Sequence, residues 1–122
     1  MTRVRMWVSG VARLLGADEQ AAFDFALAVS EACTNVVRHA YAGQSEGRLI
    51  VTARRIGRRI IFRVRDFGAK FDPQKVRSPD LHGEPSVGGY GIYLMRRVMD
   101  RVYYGTGHPE GTELMLVRCR SR

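Results

Sequence analysis

The chain has 122 residues, 45% hydrophobic and 26% charged, which fits one folded domain over residues 1–122 and excludes a disordered chain or two separate cores. Its net charge is +8, and only Lys70 and Lys75 among the 20 basic residues are lysines. Guanidinium therefore dominates the basic surface, and it favours a carboxylate or phosphate partner. No apolar run approaches the ~18–20 residues that cross a bilayer. Met1 to Trp7 offers neither an apolar signal core nor a cleavage site, so the cytoplasm is the default location.

Val4, Trp7, Val8, Val11, Leu14 and Leu15 fall at helical spacing, and Gly16 is placed to end that first helix. Asp18 is the expected N-cap of a second helix running from Glu19 to about Ala42. Apolar residues are frequent enough there to predict burial on most sides, with Ala22, Phe25, Val29, Ala32 and Val36 as the main stripe. Glu31 and Asn35 lie off that stripe and one turn apart, on a common face. Two such groups buried without partners would cost several kcal/mol, on the order of 2–7 for each uncharged polar group. A divalent cation with its phosphates suits both. Glu31 paired with Arg38 is the competing structural reading.

After a polar loop, two strands are expected, Arg48–Ile56 and Arg59–Asp66, joined by a turn at Gly57-Arg58. Asp66 shares the parity of Ile60, Phe62 and Val64, which aims a carboxylate at the helix layer. Arg63 and Arg65 share the other parity, away from the helices, in a hairpin crowded with Arg54, Arg55, Arg58 and Arg59. That face reads as solvated, with docking of an acidic partner as a second reading. Nucleic-acid binding ranks below both, because aromatic residues are not interleaved with the basic ones.

Phe67 to Tyr90 is glycine- and proline-rich without periodicity, as binding loops and lids are. A third helix from Ile92 to Met99 and two strands, Val102–Gly105 and Thr112–Cys119, complete the order. Cys33 and Cys119 lack metal-ligand spacing and are expected as buried free thiols. The succession predicts an α+β fold, a two-layer sandwich with helices on one face of a mixed, mostly antiparallel sheet.

Four short segments carry chemistry. Glu31 and Asn35 form the first. Asp66-Phe67-Gly68 puts a carboxylate at a strand end, suited to an exocyclic amine, with a glycine against which a ring can lie. Gly88-Gly89-Tyr90-Gly91 immediately precedes a helix, where backbone amides and the helix N-terminus favour an anion. Gly111-Thr112 offers a hydroxyl at a strand start. In this order they resemble the ATP-binding domain shared by gyrase, heat-shock chaperones of the ninety-kilodalton class and histidine kinases. The chain is most similar to the bacterial anti-sigma-factor serine kinases of the partner-switching type. That likeness rests on Glu31 to Asn35 continuing to Arg38-His39-Ala40-Tyr41, on Phe71-Asp72-Pro73 and on Met99-Asp100.

The resemblance implies a histidine-kinase-like ATPase fold and the cofactors ATP and Mg²⁺. It implies Asn35 as the Mg²⁺ ligand and Glu31 as catalytic base on the attacking hydroxyl. Asp66, supported by Thr112, would read the adenine amine, and Gly68 would line the base pocket. Gly88, Gly89 and Gly91 would form the lid over the phosphates. The implied partners are an antagonist protein phosphorylated on serine, a sigma factor, and a second copy in a homodimer, with no membrane and no direct nucleic-acid contact. An ATP-gated interaction module without kinase activity is the alternative. The pattern departs from the superfamily in two places: Lys70 stands where a second glycine is usual, and the family's additional N-terminal strand is missing ahead of the first helix.

Overall fold

The computed structural model describes residues 2–37, 47–68, 89–105 and 107–119. The elements are α1 (Thr2–Leu14), α2 (Glu19–Asn35), β1 (Leu49–Ile56), β2 (Arg59–Asp66), α3 (Gly89–Val98), β3 (Arg101–Gly105) and β4 (Glu113–Cys119). Gly16 takes a left-handed φ of 101°. There the Ala17 amide donates to the Ala12 carbonyl and the Gly16 amide to the Arg13 carbonyl, both at 2.9 Å. Those two bonds satisfy carbonyls that the last helical turn leaves open. Asp18 then caps α2, its carboxylate accepting from the Ala21 amide at 2.7 Å.

The four strands lie in the order β1-β2-β4-β3, and every described pairing is antiparallel. β2 and β3 run parallel to each other, linked through α3, with β4 inserted between them. Crossing residues in register gives two inner rows, Val51–Val64–Leu114–Tyr104 and Ala53–Phe62–Leu116–Val102. These rows meet Phe25, Val29, Ala32 and Met95 in one core, where Phe25 and Phe62 pack ring to ring at 4.7 Å. α1 packs on α2, closing the helix layer with Val8 and Ala12 fully buried. Among the described residues no helix is long and apolar enough to cross a membrane.

The outer face differs in kind. One row reads Arg54–Ile61–Val117–Arg101, so that arginine stems flank two buried apolar residues. Arg63 and Arg65 lie on this face as their parity requires. Arg65 stacks over the Phe67 ring at 4.2 Å.

Two expectations are corrected. α3 begins at Gly89, so Gly89 and Gly91 form its first turn instead of preceding it. Glycine keeps its backbone amide, and its cost in a helix is entropic, only about 0.5–1 kcal/mol relative to alanine, so two glycines do not prevent the turn. Cys33 is buried, but Cys119 is an exposed free thiol, because it ends β4 on the outer row opposite Arg59. The Arg38-His39-Ala40-Tyr41 and Phe71-Asp72-Pro73 segments, Gly88 and Lys70 lie outside the described residues, as does the expected α2 extension to Ala42.

Candidate functional site

Asp66 ends the core-facing row of β2 and is only 4% exposed. Its Oδ1 accepts the Gly68 amide at 3.1 Å, while its own amide donates to the Thr112 carbonyl at 3.0 Å. Burial raises its carboxyl above the usual range, partly offset by backbone donors at Gly68 and Thr112 and by the Arg65 charge. This carboxylate is held in place rather than neutralised by a countercharge.

Gly111 permits that arrangement. Its φ is +71°, and a Cβ there would stand 2.1 Å from the Asp66 carbonyl oxygen and 2.7 Å from the Phe67 Cα. Only glycine lets the start of β4 pass so near the end of β2. The sequence alone did not assign Gly111 a role, since a glycine before a strand is ordinary until the register shows what it crosses.

α2 forms the opposing wall. Asn35 is 7% exposed, and its buried Nδ2 has no hydrogen-bond partner among the described residues. Such an orphaned amide calls for a polar partner from outside the described protein. Glu31, one turn earlier, is half-buried and makes no ion pair among the described residues; Arg38, its competing partner, lies outside them. Between the two, burial pushes the Cys33 thiol up to about 11, so it stays protonated and inert. Upstream, Ser30 accepts from Arg5 Nε at 3.3 Å and donates to the Leu27 carbonyl, tying α1 to this stretch of α2.

Asn35, Asp66 and Thr112, from three separate segments, line one cavity between helix and sheet. Its apolar walls are Ala32, Val36, Val64 and Leu114, and Tyr104 closes the β3 side. The cavity measures about 20 Å³, room for about one water molecule. Gly68 adjoins it through its bond to Asp66. Glu31 is not among the lining residues but stands a turn from Asn35, and Gly89 and Gly91 start the helix that packs on α2. Tyr104 was the lining residue without a sequence signal of chemistry, although it shares the inward parity of Val102.

Residues 1–118 match the histidine kinase-like ATPase domain family. The serine-protein kinase RsbW of Listeria innocua serovar 6a is 34% identical over 112 residues, covering 84% of this chain and 71% of that protein. That of Bacillus velezensis is 37% identical over 107 residues, covering 81% of this chain and 66% of its own. Among solved structures, the histidine kinase domain of the blue-light activated histidine kinase from Erythrobacter litoralis EL346 aligns with a TM-score of 0.60 at 17% identity. That alignment takes in 95% of this chain and 58% of the other, and it speaks for the fold.

Proposed function

The chain belongs to the histidine kinase-like ATPase domain family, and from that premise we propose that it is an ATP-dependent serine protein kinase of the partner-switching, anti-sigma type. The observation that carries the reading is the convergence of Asn35, Asp66 and Thr112 on one cavity. Relatives that are serine-protein kinases at 34% and 37% identity support the reaction class.

In this reading Asp66 accepts a hydrogen bond from the adenine amine, with Thr112 beside it and Gly68 holding the carboxylate. Backbone amides at Gly89 and Gly91, in the first turn of α3, would meet the phosphates, with Gly88 assigned to the same lid from the sequence. Asn35 would hold Mg²⁺ through its carboxamide oxygen, leaving its buried Nδ2 as a donor for a phosphate oxygen. A hard cation of this kind needs few protein ligands because it keeps waters and takes phosphate oxygens. When bound, it neutralises charge on the phosphates. Glu31 takes the proton from a serine hydroxyl as that oxygen bonds to the γ-phosphorus, and the bond to the β-phosphate oxygen breaks to release ADP.

The acceptor is a small antagonist protein. Its phosphorylation adds negative charge that disrupts docking and frees the kinase to sequester a sigma factor. We place this cycle in the cytoplasm and assign it a homodimer. The test is Glu31→Ala with labelled ATP and the antagonist. Transfer should fall by about 10²–10⁴, the usual contribution of a general base, while nucleotide affinity stays unchanged. Undiminished transfer in that variant would remove Glu31 from the chemistry.

A further inference from the structure

Among the described residues, the helices pack on one side of the sheet and no helix covers the other. That outer side interleaves charge with apolar surface. Arg54, Arg59, Arg63, Arg65 and Arg101 share it by parity, and Glu113 is the one carboxylate among the strand positions of this face. Ile50 stands directly across from Arg65, and Ile56 directly across from Arg59. Both are about half exposed, as is Tyr103. Between the arginines, Ile61 and Val117 form an apolar floor that belongs to this side and not to the core cluster.

Two of these guanidinium groups are short of acceptors. Arg63 Nε and Arg65 Nη1 are shielded from water, and neither meets a hydrogen-bond partner among the described residues. A shielded donor of this kind calls for an acceptor. A guanidinium partly stripped of water also gains more from a nearby carboxylate than a fully solvated one does, and the carboxylate matches its planar fork. Aliphatic side chains set between such carboxylates would settle on Ile50, Ile56 and the floor at Ile61 and Val117.

We propose that this outer face docks an acidic segment of another protein, one that intersperses carboxylates with aliphatic side chains. Charge complementarity selects that occupant. A second copy of this chain laid face to face would set arginine against arginine, which like-charge repulsion opposes. A polynucleotide supplies phosphates but nothing aliphatic for Ile50 and Ile56. Its bases would find Tyr103 as the one aromatic platform among the described strand residues of this face. The cavity lined by Asn35, Asp66 and Thr112 lies between helix and sheet, on the opposite side. Docking here therefore leaves that cavity free and depends on nothing in the nucleotide reading.

The test is fluorescence anisotropy of the full chain with labelled probes of equal charge: a peptide of Glu-Glu-Leu repeats, a peptide of glutamate and glycine, and a DNA duplex. The Glu-Glu-Leu peptide should bind tightest, and its binding should weaken as salt rises. Arg54→Gln combined with Arg63→Gln should lower that affinity about tenfold or more, as the loss of charged hydrogen bonds does. Arg3→Gln combined with Arg97→Gln removes the same charge from the helix side and should leave it almost unchanged; thermal midpoints check that both variants fold. Saturating ADP should not displace the peptide. An equal loss in both variants would reduce the effect to net charge and overturn the docking face, as would displacement by ADP or no binding at all. Tightest binding to the duplex would overturn it in favour of a polynucleotide, and a dimer that dissociates on Arg54→Gln and Arg63→Gln in sedimentation would give the face to a second copy. A chain that binds the peptide but no ADP would sink the nucleotide reading and leave the docking face standing.

Discussion

Asp24 and Asn35 are two polar intrusions on the buried side of α2, about three helical turns apart and therefore on a common face. Asp24 is fully engaged. It accepts from Gln20 Nε2 at 3.0 Å and pairs with Arg118, whose guanidinium also donates to the Val98 carbonyl at 2.9 Å. That network ties α2 to the end of α3 and to β4. Asn35 differs, since its buried Nδ2 meets no hydrogen-bond partner among the described residues. One end of the helix spends its polar atoms on the fold and the other holds them back, and the difference locates the site more sharply than burial alone.

Breaking the engaged end should have the largest effect. Asp24→Ala leaves Arg118 facing an apolar helix surface and should cost about 3 kcal/mol, in the range for a buried pair stripped of one partner. Urea unfolding would measure it, and a loss below ~1 kcal/mol would show that the Val98 carbonyl alone satisfies Arg118. Gly111→Ala comes next. It combines a left-handed φ with a Cβ driven into the Asp66 backbone, and should cost about 2 kcal/mol, with nucleotide binding weakened because Asp66 itself is displaced.

At the open end, stability and binding should come apart. Asn35→Ala removes an unsatisfied buried amide, so its urea midpoint should stay at or above that of the wild type. Its Mg²⁺-dependent nucleotide affinity should drop by about tenfold or more, equivalent to ~1.4 kcal/mol. Calorimetry with and without Mg²⁺ checks this. A matched loss of stability would place Asn35 with Asp24 among structural groups.

The smallest effect is one of pH. Folding raises the Asp66 carboxyl above its ordinary value, so the folded state favours the protonated form. Stability from this group is therefore greatest in acid and declines as pH climbs from the ordinary carboxylate range, about 3.9, through the raised folded value. Asp66→Asn abolishes that decline. Its thermal midpoint should match the wild type near the acid end and exceed it slightly at neutral pH, even as adenine recognition is lost. A wild type that gains stability across the same interval would reverse the assignment.

Much of this was legible beforehand, and for identifiable reasons. Gly16 and Asp18 punctuate the helices through local backbone chemistry, which the sequence states directly. The parity of Asp66 followed from the alternation of β2, a property of a single strand. Asp24 drew no notice, since its partner Arg118 lies at the far end of the chain and only the β2–β4 register brings it across. Gly111 and Tyr104 were opaque for the same reason, as their meaning depends on which strand each one faces. The start of α3 was misplaced because glycine signals a break in sequence, yet costs little in a first turn.

β4 occupies the middle of the sheet although it comes last among the described elements. During synthesis, β2 must wait beside an open edge until Cys119 has been made, and Asp66 meets Thr112 only then. A chain cut short before that point cannot bring Asp66 against Thr112. Premature termination thus takes away a central strand of the sheet and one wall of the cavity together.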